Sequence, residues 1–370
     1  MRALRAASWL KDNPTHQIAG RAATSPNGKP MATRTIDTHA HILNDETMRL
    51  IAKEAPKLAP VLKDPKAEVT TLTVGNTPYH PFIRGGWDIE RRLKDMDDTL
   101  VDVQVLSATP QTYYYDQEAS VGVVLSKIQN EQMAKHVKDQ PDRFMAIATL
   151  PMQAPEQAAA ELRRAITELG MRGAMIGSNI EGMNLDHPSL EVFWKTAEEL
   201  DAFIFIHPAH VAGADRLKDY YLRNFIGNPL DTTIAAACLV FGGVLEKYPN
   251  LNVVLAHGGG FVPYQTGRWI HGWHERQPEP QVKLKKSPEE FIAKLRYDTI
   301  LHAKPQLESL VGWVGPERVL LGSDYPYDMA MMDLVRHVKS LNLSDSAKDI
   351  MLGGEAEKLL ARPTKHAKSK

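Results

Sequence analysis

Four apolar runs of this chain each end in a side chain that can bind a cation or carry a proton. Ile36-Asp37-Thr38-His39-Ala40-His41 ends in a histidine pair, Phe203-Ile204-Phe205-Ile206-His207 and Val253-Val254-Leu255-Ala256-His257 in single histidines, and Leu320-Leu321-Gly322-Ser323-Asp324 in an aspartate. Residues two apart on an extended strand share a face, so His39 and His41 can converge on one cation. Any one of these residues could be a buried polar group with a partner. Packing alone does not explain His or Asp at the ends of all four runs. His39, His41, His207 and Asp324 offer imidazole nitrogens and one carboxylate, a set suited to one Zn2+, with Mn2+, Fe2+ or Co2+ as alternatives. A cation there would polarise a substrate oxygen or acidify a bound water. Those four side chains fill a usual mononuclear set. His257 is therefore read as the general acid/base, with Asp324 beside it in the catalytic pair.

The elements that must position these residues alternate along the chain. Strand candidates are 35–38, 102–107, 144–150, 173–177, 203–207, 252–257, 296–300 and 319–324, with helical patterns between most of them. Strand–helix alternation predicts parallel strands with crossover helices, and eight repeats favour a closed (β/α)8, TIM-like barrel over an open sheet. Each titratable run end then faces the catalytic mouth, at the C-terminal tips of strands one, five, six and eight. Residues 42–87 break the alternation and read as a small insertion over that mouth. Tyr113-Tyr114-Tyr115, after the second strand, reads equally as a wall for a planar substrate or as a packing cluster. His302, after the seventh strand, is the histidine best placed to support a ligand. Gly258-Gly259-Gly260 lacks the G-x-G-x-x-G spacing of a dinucleotide site.

The whole chain is of ordinary globular composition: 370 residues, 43% hydrophobic and 24% charged, with a formal net charge of -1. Such a balance gives no global field for nucleic acid or an anionic membrane, so neither is an expected partner. Cys238 is the only cysteine, which excludes an intrachain disulfide and fits a reducing compartment, here the cytoplasm. The barrel is assigned to residues 34–361. Residues 1–33, rich in Arg, Ala and Ser, read as a disordered extension rather than a targeting segment, and 362–370 as a basic tail.

These motifs resemble those of the metal-dependent decarboxylases related to the amidohydrolases. The similar stretches run through nearly all of residues 35–360. They include the H-x-H run, Trp87-Asp88, Asp95-Met96-Asp97, Thr149-Leu150-Pro151-Met152, His207-Pro208, Ala256-His257-Gly258-Gly259-Gly260, Gly267-Arg268 and Gly322-Ser323-Asp324-Tyr325-Pro326. The resemblance implies an amidohydrolase-superfamily barrel, a zinc-type site at His39, His41, His207 and Asp324, and proton handling by His257. It implies non-oxidative decarboxylation of an unsaturated or aromatic carboxylate, such as a carboxymuconate semialdehyde or a hydroxybenzoate. It also implies a homodimer in which Arg268 reaches the partner's pocket and grips a small-molecule carboxylate. Where the family carries a substrate-binding arginine this chain has His80, with Arg84 close by. Where the family has tryptophans after strand five it has Ala209 and Asn224. His80, Arg84 and Asn224 thus join Arg268 as substrate-binding candidates. The same metal and proton groups would also serve a hydrolase acting on a C–C bond of a ring-cleavage product, a lactone or an amide. A non-enzymatic metal-binding scaffold is the third reading, which the intact set of five residues disfavours.

Overall fold

Short runs rich in Val, Ile, Phe and Ala form the eight parallel strands of the computed structural model, which describes residues 34–361; the expectations for 1–33 and 362–370 lie outside the described residues. The strands are β1 (Ile36–Ile42), β2 (Val103–Ala108), β3 (Phe144–Ala146), β4 (Gly173–Gly177), β5 (Phe203–His207), β6 (Asn252–Leu255), β7 (Arg296–Asp298) and β8 (Val319–Leu320). They pair as β1-β2-β3 and as β4-β5-β6-β7-β8, in parallel throughout. Two isolated parallel bridges join these sheets, Ala148 with Ala174 and Ala40 with Tyr325. Backbone bonds Ala148 N–H to Gly173 O (2.8 Å) and His41 N–H to Tyr325 O (2.7 Å) hold the two seams. The ring is closed, as the eight repeats require.

A closed parallel ring is buried on both faces, one by the barrel interior and one by helices. That is why Phe203–His207 reads as an unbroken apolar run and is buried at every position. The helix Pro155–Thr167 shows how the outer layer is specified. Pro155 sits in the first turn, where its missing N–H costs nothing, and Ala158, Ala159, Leu162 and Ala165 are buried on the inward stripe. Truncating Leu162 to Ala there would cost roughly 3 kcal/mol.

The insertion is folded rather than a bare loop. Asn44 caps the helix Asp45–Glu54 by accepting from Thr47 N–H (2.7 Å). Three antiparallel strands follow, Val61–Leu62, Val69–Val74 and Thr77–Ile83. The last two are joined by Gly75-Asn76, with Gly75 at φ +58, where a two-residue hairpin favours glycine. Leu43, Leu72, Phe82 and Trp87 give this unit its own small core, Phe82 stacking on Trp87 at 5.6 Å.

Four strand candidates ran too far at their C-terminal ends. β3, β6, β7 and β8 stop at Ala146, Leu255, Asp298 and Leu320. For β6 and β8 the cause is local: His257 and Asp324 have φ of +55 and +63, which no β ladder accommodates. No helix among the described residues is long and apolar enough to cross a membrane.

Candidate active site

β1 carries an irregularity at the point where its chemistry begins. Its pairing with β2 steps from Asp37 opposite Gln104 to Ala40 opposite Leu106, so β1 has one extra residue there. Such a bulge re-aims side chains at the rim of a barrel. Asp37 anchors it from beneath, accepting from Gln104 Nε2 (2.8 Å), Ser323 Oγ (2.6 Å), Ser323 N–H (3.0 Å) and His39 N–H (3.1 Å). Arg92, fully buried, donates to the His41 carbonyl, to Gln104 Oε1 (2.7 Å) and to Gly85 O (3.0 Å), and lies over the Tyr325 ring. One buried polar network therefore sets β1, β2 and the segment after β8 against each other.

Above it, His39, His41, His207, His257 and Asp324 form one cluster. The Nε2 atoms of His39 and His41 are 3.2 Å apart, and each lies 3.4 Å from Asp324 Oδ1. Donor atoms of His39, His207, His257 and Asp324 all lie within 4.8 Å of one another. Three of the rings have the opposite nitrogen committed to an acceptor. His39 Nδ1 donates to Asp298 Oδ2 (2.7 Å), His41 Nδ1 to Ala108 O (3.2 Å) and His207 Nδ1 to Pro208 O (3.0 Å). With Nδ1 protonated, each Nε2 presents a lone pair to the centre. Asp324 Oδ1, buried and without a hydrogen-bond partner, adds another. Acceptors gathered with no donor between them are what a divalent cation fills.

His257 differs from these three. Its Nδ1 is buried with no partner, so no hydrogen bond fixes its tautomer, and its Nε2 stands 3.5 Å from Asp324 Oδ2.

Electrostatics favour the ligand forms. Burial lowers His41 to about 4 and holds His207 well below the usual imidazole range, so both stay neutral. Burial alone would raise Asp324; the adjoining His257, His41 and His39 rings outweigh it and hold the carboxyl well below its ordinary value. Burial alone would also lower His39, but Asp298 and Asp324 outweigh it and make that imidazole more basic, a stronger donor to a cation.

Asp298 was not among the sequence candidates, although it is the last residue of β7 and its signal was the same as theirs: an acid at a strand tip. It also accepts from the N–H groups of His257 (2.9 Å), Gly258 (2.8 Å) and Ile300 (3.0 Å). Its carboxyl is held low because His39 overcomes the effect of burial. The supporting position expected of His302 is thus filled by Asp298; His302 is exposed, at φ +57, and makes no hydrogen bond to the cluster.

The cluster lies at the buried end of a cavity of about 500 Å3. Tyr113, Tyr114 and Tyr115 line it, and so do Tyr327, Gln111 and Asn224. Both readings of the tyrosine run are realised: the three are buried and packed, with Tyr113 stacked on Tyr115 at 5.3 Å, and they wall the cavity. Residues from Val74 to Tyr79 bring the insertion over the mouth. His80 and Arg84 are corrected: neither lines the cavity. His80 points its Nδ1 back to Thr70 O (3.0 Å), and Arg84 is taken by Asp88 (2.8 Å) and Glu68. Arg268, on the helix Val262–Glu275, is exposed, does not line its own chain's cavity, and has no hydrogen-bond or ion-pair partner among the described residues. Sequence reasoning also missed Arg223, which does line the cavity.

With this geometry in place, the chain can be set beside known proteins. A family model described as Amidohydrolase matches residues 36–362. A 2-amino-3-carboxymuconate-6-semialdehyde decarboxylase of Dictyostelium discoideum is 38% identical over 277 residues, covering 74% of this chain and 77% of that protein. The solved 5-carboxyvanillate decarboxylase of Sphingomonas paucimobilis superposes with a TM-score of 0.77 at 24% identity, over 89% of this chain and 99% of that one. A dihydroxybenzoic acid decarboxylase of Polaromonas sp. JS666, crystallised with manganese and 2-nitroresorcinol, gives 0.73 at 23% identity, over 89% and 97%. The two structural likenesses establish the fold.

Proposed function

The chain belongs to the amidohydrolase family, and from that premise we propose that it is a metal-dependent, non-oxidative decarboxylase of an unsaturated or aromatic carboxylate. The observation that carries the reading is the convergence of three imidazole Nε2 atoms, each with its Nδ1 committed elsewhere, on a buried carboxylate at the end of a tyrosine-walled cavity. Its relatives, named as decarboxylases, favour loss of CO2 over hydrolysis by the same site.

The ligands are His39, His41, His207 and Asp324. A cation held there supplies Lewis acidity toward a substrate oxygen. Zn2+ is the proposed ion; the same N/O set accepts Mn2+, the metal in the Polaromonas structure. Tyr113, Tyr115 and Tyr327 hold a planar substrate and keep bulk water from it. The reaction breaks the carbon–carboxylate bond, leaves its electron pair on carbon and needs one proton there. His257 delivers that proton through the imidazole whose tautomer is not locked. Arg268, with no partner among the described residues of its own chain, serves the cavity of a second copy in a homodimer.

Chelator-stripped protein should show no turnover. Reloading with Zn2+ or Mn2+ should restore CO2 release from a hydroxybenzoate or a carboxymuconate semialdehyde. Hydrolysis products without CO2 would contradict the reading.

A further inference from the structure

Among the described residues that line the cavity, Arg223 is the one arginine, and no lysine lines it. Its guanidinium has no ion pair or hydrogen bond among the described residues. The acids of the same wall are engaged elsewhere: Asp328 Oδ1 accepts from Tyr79 (2.9 Å) and Tyr221 (3.0 Å), and Asp116 from Gln117 Nε2 (2.6 Å). The arginine lies in the segment after β5, on the mouth side of the barrel. It begins the π-helical turn Arg223–Gly227, a wide turn of the kind often found at functional sites. Three and two residues before it, Tyr220 and Tyr221 hold φ of +56 and +60, a strained geometry for side chains of that size.

The cavity therefore has two cationic poles. At the buried end, His207, His257 and Asp324 face the candidate cation position. At the solvent end is an exposed, unpaired guanidinium beside Asn224. The Tyr113 hydroxyl, buried and unpartnered, is a further free donor on the wall. Resting on the reading above, we infer that Arg223 selects substrates carrying a second anionic group, a dicarboxylate or its equivalent. The reacting carboxylate goes to the buried end and the retained one to the guanidinium fork, which matches a carboxylate in two parallel hydrogen bonds.

The test is calorimetric titration of the metal-loaded protein with benzene-1,3-dicarboxylate and with benzoate, for wild type, Arg223→Gln and Arg223→Lys. The side chain is exposed, so the fold should survive the change, and a melting curve verifies it. The wild type should bind the dicarboxylate at least about tenfold more tightly than benzoate, the discrimination one charge-assisted fork provides. Arg223→Gln should abolish that preference and leave benzoate unchanged; Arg223→Lys should keep part of it, having the charge without the fork. No preference in the wild type, or a preference that survives in Arg223→Gln, overturns the assignment. Equal weakening of both ligands also overturns it, since Arg223 would then supply only general attraction. Failure of the decarboxylase reading would appear separately, as no CO2 from any carboxylate while the binding preference stays measurable.

Discussion

Asp298 stands behind the proposed metal site without being one of its ligands. It fixes the His39 tautomer and, through the N–H groups of His257 and Gly258, the turn that carries His257, the proposed acid/base. Asp298→Ala should weaken metal binding about 10- to 100-fold, the usual cost of removing a partner behind a ligand. Competition with a fluorescent chelator would measure it, and an unchanged affinity would show that His39 needs no orienter. His257→Gln should keep full metal content and lose at least about 10²-fold in turnover. Loss of metal in that variant would make His257 a ligand, as its place within the 4.8 Å donor group allows. The buried imidazoles also give a pH dependence to the metal-stripped protein. Unfolded histidine titrates near 6.5, whereas folded His41 sits at about 4 and burial holds folded His207 well below its usual value. Between those values the unfolded chain takes up protons that the folded one refuses, so stability is complete above about 6.5 and falls as pH drops toward 4, by on the order of 3 kcal/mol for His41. His39, shifted upward, works the other way, its contribution fading as pH rises through its folded value. Melting midpoints of stripped protein should therefore fall from pH 7 to 4.5, less steeply in His41→Asn; equal slopes would contradict this. These five residues were legible because each ends an apolar run with a group packing does not require. Asp298 was not, because its partners are backbone N–H groups and a ring from another strand.

The turn after β6 shows how an element converts chain direction into a site. Gly258, Gly259 and Gly260 have φ of +60, +75 and +61, so the glycine run is a left-handed turn that lifts His257 off the strand and starts the helix Val262–Glu275. A Cβ on Gly260 would lie 2.1 Å from the Pro229 carbonyl oxygen, at the start of the helix Asn228–Phe241. Neither backbone can yield cheaply. Gly260→Ala should lower stability by at least about 2 kcal/mol, read as a reduced melting midpoint. A midpoint within a degree of wild type would show that the turn relaxes freely. Alternation and strand count were readable because a parallel barrel demands apolar runs at regular spacing. The strand ends after β6 and β8 were not, since positive φ at His257 and Asp324 is imposed by tertiary packing rather than by local preference. The folded insertion was readable as an interruption, but its antiparallel pairing depends on a small core that sequence periodicity does not reveal.

At the scale of the whole molecule, a closed barrel gathers tips of strands far apart in sequence, with a folded insert over the mouth. Arg268 does not line its own chain's cavity, so the proposed dimer has a symmetric consequence. Inactive Arg268→Ala and His257→Ala chains, mixed and allowed to exchange, should recover up to about half the activity of the exchanged dimers, because one site of each heterodimer is intact. Verified exchange with no recovery would leave Arg268 outside catalysis. The fold and the clustering of His39, His41, His207, His257 and Asp324 were legible because they follow from repeated strand tips; the cavity wall was not, because it is assembled from the insert, the tyrosine segment and the turn at Arg223. The central claim is that this centre removes a carboxylate and replaces it with a proton. Turnover of a hydroxybenzoate or a carboxymuconate semialdehyde by metal-loaded protein in D2O, followed by mass spectrometry, tests it directly. The account predicts CO2 and a product with one deuterium on the carbon that lost the carboxylate. A product that keeps its carboxylate and gains the elements of water would contradict it.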